Sequence, residues 1–182
     1  YGVQLYGKRL YIHNLNIYSC YSGGWYSECG SATGRNDWHG HPISTINGLI
    51  VQDCGGISMH FRGPHDAHIQ MASIAAGVQG VRIDEEVNNG ANCDIGMIHQ
   101  YNASGTDPGF YIGSGVCMRA QQIIAESNHG PGLEFDGIES QIGILQLYKN
   151  CRTATDTASL IIDGRNSIFD SISLKTFSDL VQ

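Results

Sequence analysis

GPGLEFDG, residues 130–137, alternates apolar Leu133 and Phe135 with acidic Glu134 and Asp136 inside a bracket of glycines. Alternation with a period of two is the pattern of a strand that buries one face and exposes the other. So short a strand gains too little burial to stand alone, and the chain supplies relatives for it. GWYSE (24–28), GGISMHF (55–61), GVRID (80–84), GFYIG (109–113) and SLIID (159–163) repeat the order small, apolar, variable, apolar, variable. Placed in line, the copies begin at residues 24, 56, 80, 109, 132 and 159.

A second series keeps the same phase: Leu15 to Cys20, Leu49 to Cys54, Met71 to Ala76, Met97 to Asn102, Ile123 to Asn128 and Leu145 to Asn150. Its last three members end in asparagine, which accepts tight turns and bonds backbone groups. Stacked at about 4.8 Å per step, these residues predict a ladder of side-chain amides. A repeat of two to three dozen residues with short strands and no helical period predicts one coil of a solenoid, stable only when stacked on its neighbours. The L-x-x-L-x-L frame of a leucine-rich repeat is absent. The expected fold is therefore all-β, a right-handed parallel β-helix of about six to seven rungs. It occupies 1–182 as a single domain, with open strand edges that suggest a piece of a longer chain.

Composition agrees with this and narrows the partners. The 182 residues are 41% hydrophobic and 15% charged, with 24 glycines and 4 prolines, a balance that favours strands and turns. Ten basic against 17 acidic residues argue against nucleic acid or an anionic membrane, both of which need clustered Lys and Arg. No run approaches the roughly 18–20 apolar residues of a membrane-spanning helix. Of the six cysteines, Cys20, Cys54, Cys93, Cys117 and Cys151 sit beside strand patterns with no CxxC pair, and are expected to be buried free thiols; Cys29 falls in a polar loop.

The outward positions of the first series form two rows. One is expected to hold Tyr26, Ser58, Arg82, Tyr111, Glu134 and Ile161, the next Glu28, His60, Asp84, Gly113, Asp136 and Asp163. A straight wall lined by hydroxyl-binding groups suits a chain polymer, with Tyr26 and Tyr111 as stacking faces and Trp25 pointing inward. Glu134 and Asp136 lie about 7 Å apart on one strand, and Asp84 and Asp136 two rungs apart, roughly 9–10 Å. Both separations suit the acid and base of an inverting glycosidase. The catalytic candidates are thus Asp136, Glu134, Asp84 and Glu28. Arg82, Tyr111, His60 and Tyr26 are the substrate-binding candidates, joined by Trp38 and His39 from the overhanging loop CGSATGRNDWHGHP (29–42). For an elimination instead of hydrolysis, Tyr111 or His60 would be the base and Arg82 the partner of a uronate.

FRGPHDAH (61–68) adds His65, Asp66 and His68 to a histidine-rich corner with His39, His41 and His60, but without HExxH or CxxC spacing, and a turn is the favoured reading. DEEVNNGAN (84–92) is likewise read as a turn. No metal or cofactor is assigned. On the second series the outward stripe Asn16, Ile50, Ala72, Ile98, Ile124 and Gln146 is expected to be apolar, the mark of an interface.

The rung pattern with its turn asparagines, together with GGWYSE, CGGISMHFRGPHDAHI and NHGPGLEFDG, resembles the right-handed β-helix of pectin-lyase-like proteins, bacteriophage tailspikes in particular. The resemblance covers nearly the whole chain. It implies a homotrimer on a virion or otherwise extracellular, acting on a bacterial surface polysaccharide. The cleaving enzymes of this fold are hydrolases or lyases, and its non-catalytic members are receptor-binding or structural. Pectate lyases of this fold use calcium and basic residues, and the low count of Lys and Arg does not match them.

Overall fold

The computed structural model describes residues 1–6, 10–28, 43–63, 67–85, 91–153 and 158–175, and among them there is no helix. Fourteen strands alternate between two walls. The first wall takes β1 (Val3–Tyr6), β3 (Gly23–Glu28), β5 (Ile57–Arg62), β7 (Gln79–Asp84), β9 (Phe110–Ile112), β11 (Leu133–Phe135) and β13 (Leu160–Ile162). The second takes β2 (Leu10–Tyr18), β4 (Ile43–Gln52), β6 (Ala67–Ala75), β8 (Ala91–Tyr101), β10 (Val116–Glu126), β12 (Gln141–Tyr148) and β14 (Ile168–Lys175). Each wall is a seven-stranded sheet in that order, paired parallel throughout, so successive strands in the chain always change sheet. This is a parallel β-helix.

The inner rows explain why the repeats stack. On the first sheet Trp25, Met59, Val81, Phe110 and Leu133 lie in one register, and Phe61, Ile83, Ile112 and Phe135 in the next, all sealed from water. Burying each phenylalanine contributes roughly 1.5–3 kcal/mol. Trp25 also stacks on Phe61 at 6.0 Å between ring centroids. On the second sheet the rows are Ile12–Ile46–Ile69–Ile95–Ala120–Ile142 and Leu15–Leu49–Ala72–Ile98–Ile123–Leu145.

Two register expectations are corrected here. Trp25 pairs with Met59, so Ser58 belongs beneath the small residue Gly24 and is buried, and His60 takes the outward place beside Tyr26. The residue that then sits level with Glu28 is Arg62. On the second sheet Leu49 pairs with Ala72 and Ala72 with Ile98, one residue later than Met71 and Met97. The expected apolar outward stripe is therefore not formed: Ala72 and Ile98 are core, and the outward line is Asn16, Ile50, Ser73, His99, Ile124 and Gln146. The cause is a bend in these strands, where two successive residues face outward between inward Ile69 and Ala72, a departure from alternation that composition does not signal.

The amide ladder exists in altered form. Asn102 does not join it. With Ser19, Asp53, Ala76, Ser127 and Lys149 it forms a column of left-handed residues, φ 45° to 60°, that turns the chain off the second sheet. Its place is taken by Gln100, which points inward in the row of Ile74, Ala125 and Leu147. Asn128 exchanges two 2.7 Å hydrogen bonds with Gln100, donates to Asn150 Oδ1 at 2.9 Å, and accepts from the amide of Ala103 at 2.8 Å. Asn150 donates to the Ala125 carbonyl at 2.9 Å. Gly109 and Gly132 make room for the ladder, because a Cβ at either would overlap the amide of Asn128 or Asn150. At Gly80, Gly109 and Gly132 the repeated small residue at the head of a copy thus serves the polar ladder beside it.

The five described cysteines are free thiols, but only Cys54 and Cys93 are buried; Cys20, Cys117 and Cys151 are half-buried. Cys29 lies outside the described residues. Burial, with a lesser contribution from nearby Asp94, pushes the Cys93 thiol up to about 12. In native protein at neutral pH, Cys93 is expected to resist a charged thiol reagent over the time in which Cys117 and Cys151 react, which peptide mapping of the labelled sites would show. Labelling of Cys93 at their rate would mean that this part of the core opens.

Candidate functional site

The outward face of the first sheet gathers most of the candidate residues. Tyr26, His60, Arg82, Tyr111 and Glu134 follow one another in register, one per strand from β3 to β11. Asp84 stands beside Arg62 on the neighbouring line, and the amide of Asp136, just past β11, bonds the Ile112 carbonyl and so continues it. Strand alternation forces this arrangement, since the same residues that send Phe61, Ile83 and Phe135 inward must send these outward. Asp84 and Asp136 are separated by the rung of Gly113, as expected.

The side chains form a continuous path along the wall. Tyr1 packs on Tyr26 at 5.0 Å between centroids, and Tyr26 meets the His60 ring edge-on at 5.3 Å. His60 Nε2 lies 2.8 Å from Asp84 Oδ2, and Arg82 donates to that same oxygen through Nε at 2.6 Å. The Arg82 guanidinium then lies 4.8 Å from the centre of the Tyr111 ring. Tyr111 in turn donates its hydroxyl to Asp136 Oδ2 at 3.2 Å. A shallow cavity of about 420 Å³ opens over His60, Arg82, Asp84 and Tyr111.

The carboxylates are not equivalent. Burial works against the charge on Asp84, but the hydrogen bonds from His60 and Arg82 and their positive charge outweigh it, holding its carboxyl below the usual range. Asp84 is therefore an anchored anion, poorly suited to donate a proton. Glu134 is shifted the opposite way, first by burial and then by the negative charges of Asp136 and Asp107. Burial and the neighbouring Asp136 also raise the Tyr111 hydroxyl, which stays protonated as a donor.

The Asp84 shift fixes a pH dependence. A carboxyl held below its unfolded value stabilises the fold above that value and loses its contribution as pH falls through the folded one. The stability gap between wild type and Asp84→Asn is expected to be constant from neutral pH down to about pH 4–5 and to shrink on further acidification. Urea midpoints across that range measure it. A gap independent of pH would mean that Asp84 acts through packing alone.

The remaining expectations divide. Glu28 closes β3 with its backbone level with Arg62; its side chain, and the whole of Trp38, His39, His41, His65 and Asp66, lie outside the described residues. The histidine corner does not come together in the described part, since His60 is on the first sheet and His68 on the second. Among the described residues no group of three or more His, Cys, Asp or Glu is placed to hold a metal ion. Two participants escaped the sequence reading. Tyr1 precedes any strand pattern, and Asp107 lies in a turn whose path toward Glu134 only the fold determines.

The fold and this face define a class, a parallel β-solenoid carrying an aromatic and acidic wall. Compared with protein-family models, curated proteins and solved structures, the chain finds no significant match in any of the three.

Proposed function

We propose that the outer face of the first sheet binds an extended polysaccharide and hydrolyses it, with Glu134 as the acid and Asp136 as the base. The observation that carries this reading is the unlike surroundings of two neighbouring carboxyls on one continuous wall. Glu134 is biased to keep its proton, while Asp136 is held in place by the Tyr111 hydroxyl. A carboxyl that favours its proton, next to a second one oriented by a hydroxyl donor, supplies one group for each role. Their separation along one strand, about 7 Å, leaves room for a water on the far side of the sugar, as inversion requires.

In this scheme Glu134 protonates the glycosidic oxygen as the bond to the anomeric carbon breaks, and Asp136 takes a proton from the water that attacks that carbon. Solvent then restores both groups. Tyr26, His60, Arg82 and Tyr111 line the approach and hold neighbouring sugars by stacking and hydrogen bonds. The resemblance to tailspike β-helices supports a bacterial surface polysaccharide as substrate, and a homotrimer on a virion as the setting. An elimination is less well supported. Tyr111 is biased to stay protonated, His60 Nε2 bonds Asp84, and Arg82 is engaged by Asp84 and the Tyr111 ring.

The test is incubation with purified capsule and O-antigen from candidate hosts, followed by size-exclusion chromatography with ultraviolet detection. Shortening without new absorbance supports the proposal. Shortening with the absorbance of an unsaturated uronate would indicate a lyase, and retention without shortening a recognition module.

A further inference from the structure

The second sheet carries its own groove. Where its strands bend, Gln70, Gly96, Gln121 and Gly143 follow one another in line, with Met71, Met97, Gln122 and Ile144 beside them. Two adjoining cavities of about 800 and 470 Å³, sharing His68, Gly96 and Gln121, run over this line. Both glycines are imposed by the backbone: a Cβ at Gly96 would overlap the Gln70 carbonyl, and one at Gly143 would stand 2.8 Å from the Gln121 carbonyl. Each glycine therefore leaves a notch one rung wide beside an exposed glutamine.

We infer that this groove is a second binding site, for a neutral extended glycan, distinct from the acidic wall of the first sheet. Over the four rungs from β6 to β12 the two lines themselves hold no charged residue. At the margin of the smaller cavity Arg119 is outnumbered by Asp94 and Asp170, so the groove gives an anionic polymer no net attraction. The Gln70 and Gln121 amides each carry two donors and an acceptor and bond no other described residue, leaving them to bridge vicinal hydroxyls. The thioether of Met71 and the side chain of Ile144 are 50% and 42% exposed, and they present apolar surface to the C–H faces of sugar rings. Rungs at about 4.8 Å match the advance of an extended glycan by one sugar, so the same contacts recur along the groove. The site does not depend on the hydrolase reading, because no residue is shared between the two faces.

The test uses an array of neutral and acidic bacterial glycans. It is probed with the wild-type chain, with the double variant Gln70→Ala/Gln121→Ala, and with Tyr111→Ala on the other wall. Gln70 and Gln121 are exposed and Tyr111 is half-buried on its wall, and thermal melts establish that the variants fold. The expected result is retention of neutral glycans that survives Tyr111→Ala and falls about tenfold in the double variant, the loss of a few hydrogen bonds. Retention of acidic glycans alone, no retention of neutral ones, or retention that is lost with Tyr111→Ala but not with the double variant would overturn the inference. So would a change in oligomeric mass in the double variant by light scattering, which would make this face a contact between copies of the chain.

Discussion

Glu134→Gln and Asp136→Asn are each expected to reduce polysaccharide cleavage by at least about a thousandfold, the upper part of the range for losing a general acid or base. Both substitutions keep the size of the side chain and some capacity to hydrogen-bond, so retention of the intact polymer should change only a few-fold. Asp136→Asn still accepts from Tyr111 and keeps the wall in order. In addition, it removes a negative charge that helps keep Glu134 protonated, so its cleavage should lose the acid limb more than its binding does. Asp84→Asn is the control: it weakens the anchoring of His60 and Arg82 but removes no proposed acid or base, so some cleavage should survive. Chromatography of one responsive polysaccharide with all three variants decides the matter. Cleavage at the wild-type rate by Glu134→Gln or by Asp136→Asn would remove the catalytic pair.

The largest loss of stability is expected from Asn128→Ala. That change removes both partners of the Gln100 amide, the acceptor of the Ala103 amide and one of the two donors to Asn150 Oδ1, all inside the solenoid. A buried polar group left without a partner costs about 1–3 kcal/mol, so the total should be roughly 3–5 kcal/mol. Neighbouring rungs depend on each other in a solenoid, and the loss should appear as a lower midpoint for the whole unfolding transition. Asn102→Ala provides the comparison, because Asn102 contributes a left-handed turn at φ 60° and no ladder bond, a loss of order 1 kcal/mol. Equal costs for the two would mean that the ladder does not hold the rungs together.

These two residues show how far the sequence could be followed. Asn102 and Asn128 occupy equivalent places in the repeat as written, and nothing local separates them. The fold separates them by a one-residue shift in register: Met71 and Met97 line up with Gln122 and Ile144 on the outer side of the bend that all these strands share, so that Gln100 enters the core and Asn102 takes the turn. The same shift sends Ala72 and Ile98 inward and breaks the expected apolar stripe. On the first sheet the ambiguity was GGISMHF, where two glycines allow two alignments. The choice falls to Met59, which packs in line with Trp25, and His60 moves into the outward row of Tyr26.

By itself the sequence determined the solenoid, the inward and outward sets of each short strand, and the grouping of Arg82, Tyr111, Glu134, Asp84 and Asp136 on one wall. It could do so because alternation is local and a strand cannot bury Leu133 and Phe135 without exposing the acids between them. Only the tertiary structure decided which outward residues touch. His60 and Arg82 close on one oxygen of Asp84, Tyr111 reaches across a rung to Asp136, and Asp107 approaches Glu134. Arg82 and Asp84 are neighbours on one strand, but the other contacts join residues 24 to 27 positions apart. Register between rungs is set by how large core side chains nest on their neighbours, a property of the stack that no single repeat contains.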